Sequence, residues 1–208
     1  MQNNELIQIM NVFAEMVESR NRITDGRLDK IKAYLKVIID GMLERGVYAY
    51  ELKKMDLDLL ISSACLYDIG KLFISEIVLR KPVRLTKEEF DYIKAHTTEG
   101  ETIIDKFASS TKGNELFFQY AKLFAGNHHE LYNGLGYPRG LSKADIPLQG
   151  RIMAIIDVYD ALISERPYKK PFESDDAFKI IMDGAGEQFD PLIVDVFLEV
   201  KDQLIKIG

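Results

Sequence analysis

Gly126-Asn127-His128-His129-Glu130-Leu131-Tyr132-Asn133-Gly134-Leu135-Gly136-Tyr137-Pro138 carries two of the three histidines in this 208-residue chain. The glycines at 134 and 136 and the closing proline break any helix across it, so it reads as a loop entered from a helix. That helix is predicted over 115–124, where Leu116, Phe117, Phe118, Ala121 and Phe124 recur at helical spacing. Neighbouring residues at a helix end project about a quarter-turn apart, so His128 and His129 face one site only where that end is packed against other elements. A metal ion is the commonest reason for such a cluster; a histidine pair on a solvated surface is the alternative.

On the C-terminal side, Ile146-Pro147-Leu148 leads into an apolar helix over 151–162, interrupted by Asp157 and Asp160. Two carboxylates one turn apart share a face, and their repulsion calls for a cation or a base nearby. Arg166-Pro167-Tyr168-Lys169-Lys170-Pro171 is a short, stiff basic loop, either a solvated turn or an anion-holding rim. A helix from Ser174 to about Gly184 and a last one starting at Asp190-Pro191 complete the chain.

On the N-terminal side, amphipathic helices are predicted over 4–19 and from Arg27 to the stop at Gly46, with a third from about Lys54 through Leu66. Asp68 follows that apolar run within Tyr67-Asp68-Ile69-Gly70-Lys71; a carboxylate there needs a partner, whether a cation, a helix-end cap or Lys71. Thr86-Lys87-Glu88-Glu89 is a capping box opening a helix that carries Phe90, Ile93 and His96, and another helix is expected over 99–107. Alone, His96 reads more readily as a satisfied core or boundary histidine than as a ligand. Strand signals are almost absent and the connections are short, so the fold class is all-α.

Composition sets the outer limits. With 47% hydrophobic and 29% charged residues the chain has an ordinary globular balance, and its formal charge of −6 argues against a nucleic-acid footprint while leaving room for one small phosphorylated ligand. No apolar run reaches the ~20 residues of a membrane span, and the start Met-Gln-Asn-Asn-Glu lacks a signal-peptide layout, so a cytoplasmic protein is expected. The lone Cys65 reads as a packed thiol.

Taken together, Asp68-Ile69-Gly70-Lys71, Lys94-Ala95-His96, His128-His129-Glu130, Gly136-Tyr137-Pro138-Arg139-Gly140-Leu141, Asp157-Val158-Tyr159-Asp160-Ala161-Leu162, Arg166-Pro167-Tyr168-Lys169 and Gln188-Phe189-Asp190-Pro191 resemble the HD-GYP family. These are HD-domain metal phosphohydrolases that hydrolyse the bacterial second messenger cyclic di-GMP. The resemblance covers nearly the whole chain and implies a single HD-type helical bundle over 1–208, with N-terminal helices over 1–46 and the motif-bearing core over 47–208. It further implies iron or manganese held by Asp68, His96, His128, His129 and Asp157, with Asp68 and Lys71 as catalytic residues. Tyr137 and Pro138 would line the nucleotide pocket, and Arg166 and Lys169 would hold the phosphates.

Two positions depart from the family pattern. Tyr67 stands where the histidine preceding the aspartate belongs, and Arg27 where an earlier histidine ligand belongs. A phenol ionises near pKa 10 and a guanidinium is permanently cationic, so neither suits a divalent ion at neutral pH. One ion is therefore expected rather than two, or none. The leading expectation is a degenerate module of cyclic di-GMP signalling that binds metal and a cyclic dinucleotide, or a signalling protein partner, with weak or no hydrolysis. The alternatives are an active phosphodiesterase with an altered metal centre and a helical scaffold that homodimerises through its N-terminal helices; DNA, RNA and membrane are not expected partners.

Overall fold

The computed structural model describes residues 2–20, 26–164 and 170–208. Helices follow one another as α1 (Gln2–Ser19), α2 (Arg27–Arg45), α3 (Ala49–Leu52), α4 (Leu57–Ser63), α5 (Glu76–Leu79), α6 (Lys87–Lys94), α7 (His96–Ser110), α8 (Glu115–Asn127), α9 (Leu148–Ile163), α10 (Ser174–Asp183), α11 (Pro191–Glu199) and α12 (Lys201–Ile207). Short 3-10 turns cover Ala64–Leu66, Ile69–Phe73 and Lys143–Asp145. Among the described residues there is no strand, only one isolated bridge pair, Ala185 with Phe189, and no helix is long and apolar enough to cross a membrane.

The amphipathic patterns locate the core. Helix α2 buries Leu28, Ile31, Leu35, Ile38, Ile39 and Met42 on one stripe and stops at Gly46, whose φ of 74° is the left-handed cap the sequence calls for. It packs on α9, α11 and α12, and an aromatic cluster of Tyr34, Tyr159, Phe178 and Phe197 fills the space between them. Helices α7 and α8 pair with each other, α8 also lies against α4 and α9, and Met10, Ala14 and Val17 of α1 join the same core.

Beyond shifts of one to three residues at other helix ends, three boundaries differ from the sequence expectation. The helix expected from Lys54 to Leu66 begins only at Leu57, where the Asp56 side chain accepts from Leu59 N–H, and tightens into a 3-10 turn after Ser63. The last helix divides at Val200 into α11 and α12. The helix opened by the Thr86–Glu89 capping box ends at Lys94, so His96 is the first residue of α7 rather than part of α6. That break has a local cause: His96 Nδ1 takes the Ile93 carbonyl at 2.6 Å and Thr97 Oγ1 takes that of Lys94 at 2.9 Å, which satisfies two helix-end acceptors.

Two close approaches bring the motif-bearing segments together. Gly70 lies against the first turn of α7, where an added Cβ would fall inside the His96 carbonyl oxygen and 2.5 Å from Gly100 N. Gly150 lies against the end of α8, where a Cβ would sit 2.7 Å from Asn127 Cβ. Only glycine allows these contacts, which set Asp68 beside His96 and bring α9 to the end of α8.

On the opposite side of α9 the buried Arg151 is clamped. Its Nη1 donates to Asp190 Oδ2 at 2.8 Å, its Nε donates to the Ile146 carbonyl at 3.0 Å, and its guanidinium lies 4.5 Å from the Tyr48 ring centroid. Tyr48 Oη donates to the same Asp190 oxygen at 2.9 Å, while Asp190 Oδ1 caps α11 by accepting from Leu192 N–H. Removing one partner of a buried, hydrogen-bonded pair strands the other. Arg151→Ala should therefore lower unfolding free energy by about 3–5 kcal/mol, and Tyr48→Phe by roughly 1–2 kcal/mol, in urea titrations; equal small losses for both would show that Asp190 finds other partners.

Candidate metal centre

His96 opens α7, and His128 and His129 follow the last residue of α8, so the α7–α8 pairing brings all three imidazoles to one place. One ring nitrogen from each lies within 4.8 Å of the others. In two of them the protonation pattern follows from the partners. His96 Nδ1 faces the Ile93 carbonyl at 2.6 Å, and His128 Nδ1 faces the carbonyls of Phe124 at 2.9 Å and Ala125 at 3.1 Å. Carbonyls only accept, so both Nδ1 atoms carry the proton and both Nε2 atoms present bare lone pairs, 3.3 Å from each other.

Asp68, between the two 3-10 turns, completes the group. Its Oδ1 is buried without a hydrogen-bond partner and lies 3.5 Å from His96 Nε2 and 3.8 Å from His128 Nε2. Three electron-rich atoms facing one another in a dry site repel unless a cation lies among them. Donors each about 2.1 Å from one ion would stand about 3–3.5 Å apart, close to the separations seen. The three imidazoles form one ligand group suited to a borderline divalent ion, and the Asp68 oxygen lies beside two of them.

The titration behaviour agrees with this arrangement. Burial pushes His96 down to about 4, the attraction of Asp68 offsetting only part of it, and pushes His129 well below the usual imidazole range, with His128 and His96 adding to the effect. Both are neutral at pH 7, the form that ligates. Burial would raise the Asp68 carboxyl, but Lys71, then His96, His128 and Arg27, hold it well below the usual carboxylate range.

The other face of Asp68 meets a different environment. Its Oδ2 is bonded to the Lys71 ammonium and lies 4.0 Å from Arg27 Nη1. The buried Arg27 guanidinium donates to three further carboxylates: Glu18 Oε2 at 2.6 Å, Asp160 Oδ2 at 2.7 Å and Asp157 Oδ1 at 3.3 Å. Tyr67 Oη donates to that same Asp157 oxygen at 3.1 Å, and burial holds its phenol far above the range in which it could ionise. A fixed cation and a neutral phenol fill this half, and these residues do not suit a second ion.

The glycine loop is held over the histidines by its own chemistry. The buried Glu130 accepts from the backbone N–H groups of Arg139 at 2.7 Å and Leu141 at 2.9 Å, and Tyr137 N–H donates to the His129 carbonyl at 3.1 Å. The half-buried Tyr137 ring stacks on His129, with centroids 4.8 Å apart and planes at 28°. Pro138 follows it, also half-buried.

The predicted site residues thus fall into two groups. Asp68, His96, His128, His129, Lys71 and Tyr137 come together, while Asp157 is held by Arg27 and Tyr67. Arg166 and Lys169 lie outside the described residues. Glu18 is a site residue that sequence reasoning missed. It ends an amphipathic helix where a solvated acid is expected, and only the partner needs of a buried Arg27 point to it.

A family model described as HD domain matches residues 11–193. A cyclic di-GMP phosphodiesterase of Vibrio cholerae is 40% identical over 196 residues, covering 94% of this chain and 40% of that protein. A cyclic di-GMP phosphodiesterase of Thermotoga maritima is 32% identical, covering 98% of this chain and 50% of that protein. A 3'3'-cGAMP-specific phosphodiesterase of Vibrio cholerae is 33% identical, covering 94% of this chain and 35% of that protein. The chain therefore spans half or less of the length of these relatives. Among solved structures, the HDG"Y"P protein Bd1817 of Bdellovibrio bacteriovorus shares the fold, with a TM-score of 0.55 and 20% identity over 99% of this chain and 63% of that one.

The depressed His96 value has a measurable consequence. Between about 4 and the ordinary 6.5 the unfolded chain holds a proton at this residue that the folded chain does not, so stability falls as pH drops through that window. Metal-free protein should lose roughly 3 kcal/mol from this residue between pH 7 and pH 4. Urea titrations across that range should show the loss shrinking in His96→Asn; an unchanged slope would mean His96 is not neutral in the fold.

Proposed function

We propose that this chain, which belongs to the HD-domain family and carries the HD-GYP pattern, is a cyclic di-GMP signalling domain that binds a cyclic dinucleotide at a one-metal centre and hydrolyses it weakly or not at all. The matched relatives are named as phosphodiesterases of cyclic di-GMP and 3'3'-cGAMP, which supports a cyclic dinucleotide as the ligand class. Asp68, His96, His128 and His129 would hold one iron or manganese ion. When bound, that ion supplies positive charge at a phosphodiester oxygen. Lys71, ion-paired to the other oxygen of Asp68 and partly open to solvent, adds a second cation nearby. Tyr137 and Pro138 would wall the nucleotide pocket, and Arg166 and Lys169 would hold the phosphates.

The observation that carries the low-activity reading is Arg27 among Glu18, Asp157 and Asp160, with Tyr67 bonded to Asp157. A guanidinium neutralises these acids as an ion would, but it is donor-only and cannot bind and activate a water as a metal does. Asp157 gives its Oδ1 to both Arg27 and Tyr67, which leaves only Oδ2 for any other partner. Phosphodiesterase activity with an altered centre is the second reading, favoured by the intact His96, His128, His129 and Asp68 group and by Lys71.

The deciding measurement is metal content by elemental mass spectrometry, on protein purified without oxygen and without a metal-affinity tag, together with conversion of cyclic di-GMP to linear product. The expected result is about one iron or manganese per chain and turnover near background. Two ions per chain with metal-dependent turnover would establish the second reading, and no ion with no bound nucleotide would leave a helical scaffold. In the double variant Arg27→His with Tyr67→His, the ion count should rise towards two.

A further inference from the structure

Helix α6 contributes no buried residue, so core packing does not account for it. It is held by its capping box, by Lys81 on Glu89 at 2.6 Å, and by Tyr92 Oη donating to the Phe73 carbonyl at 3.0 Å. These bonds set two side chains, Phe90 and Lys94, at the mouth of the site. The Phe90 ring is 46% exposed and meets the Tyr137 ring edge-on, with centroids 6.4 Å apart. Lys94 Nζ stands 4.9 Å from the Phe90 centroid and 5.6 Å from that of Tyr137, fixed by Asp91 Oδ1 at 2.7 Å. From the histidine group outward the order is His129, Tyr137, Phe90, with an ammonium over the outer two rings.

We propose that Phe90 and Lys94 form a base-reading wall that selects guanine in a bound cyclic dinucleotide, the purine lying on the exposed Phe90 ring while the Lys94 ammonium donates to O6 and N7. This rests on the cyclic-dinucleotide reading of the site, and on the place in the pocket that the family resemblance gives Tyr137; Phe90 and Lys94 are what it adds. An exposed ring beside a second ring offers a stacking surface that any base accepts. The discrimination comes from Lys94. An ammonium has three donors and no acceptor, and Asp91 takes one, which leaves two for the base. Guanine presents two adjacent acceptors, O6 and N7, whereas adenine presents N7 beside an N6 donor that an ammonium cannot satisfy. The named substrates of the matched relatives, cyclic di-GMP and 3'3'-cGAMP, share at least one guanine.

The test is isothermal titration of the purified chain and two variants, Phe90→Ala and Lys94→Gln, with cyclic di-GMP and with cyclic di-AMP. No core residue depends on either side chain, and unchanged thermal melts would confirm that the variants fold. The parent should prefer cyclic di-GMP. Phe90→Ala should weaken both ligands about tenfold. Lys94→Gln should weaken cyclic di-GMP about tenfold and narrow or reverse the preference, because a carboxamide matches the adenine N6 and N7 edge. A parent that binds cyclic di-GMP while both variants bind as it does, or a Lys94→Gln loss equal for both ligands, would overturn the inference and leave the cyclic-dinucleotide reading standing. A parent that binds neither ligand would overturn both.

Discussion

The Arg27 guanidinium joins three helices at one point: its own α2, α1 through Glu18, and α9 through Asp157 and Asp160. Four buried or half-buried carboxylates, these three and Asp68, would otherwise face one another in a site with little water. Such acids avoid mutual repulsion by taking up protons or by gaining a cation, and a planar fork that reaches several oxygens at once is an efficient cation for the purpose. A guanidinium is permanent: it neither dissociates nor depends on metal supply, so this half of the centre is set when the chain folds. The histidine half is the reverse case, ring nitrogens facing an Asp68 oxygen that has no hydrogen-bond partner.

Asp68 faces both halves. Oδ2 belongs to the permanent cations Lys71 and Arg27, and Oδ1 turns to the two Nε2 atoms. It takes this orientation because the 3-10 turn after it lies tightly on α7, which only glycine at position 70 permits. The end of α1 braces the same turn. Arg20 donates to the carbonyls of Lys71 at 3.0 Å, Leu72 at 2.7 Å and Ile74 at 3.1 Å, two residues beyond the Glu18 that holds Arg27. Packing, backbone hydrogen bonds and ion pairs from separate elements thus converge on the placement of one carboxylate.

Most of the fold was legible because helical periodicity and end signals are local. The stripe of α2, its stop at Gly46, the capping box at Thr86 and the Asp190-Pro191 start all lie where their residues put them. One error fell where side chains take over backbone acceptors, at Ile93 and Lys94, where His96 and Thr97 end one helix and begin another. The histidine group was legible from residue type because few arrangements bring every histidine of a chain into ordered motifs. Glu18 was not legible: its reason for being buried lies in Arg27, and sequence shows a charge but not its partner. The Phe90 and Lys94 side chains were hidden for a related reason, since an apolar residue on an amphipathic helix is read as core until its exposure is known.

The stacking of Tyr137 on His129 links the two ends of the site. On the one-ion reading, an ion held by His129 fixes the ring that Tyr137 lies on, and Tyr137 in turn supports Phe90. Ordering one layer lowers the entropic cost of ordering the next, so ion and nucleotide favour each other even without direct contact. Linkage makes that preference reciprocal: whatever the ion adds to nucleotide affinity, the nucleotide adds to ion affinity. The half held by Arg27 is fixed by ion pairs, and the histidine half is the one against which the Tyr137 and Phe90 rings are layered.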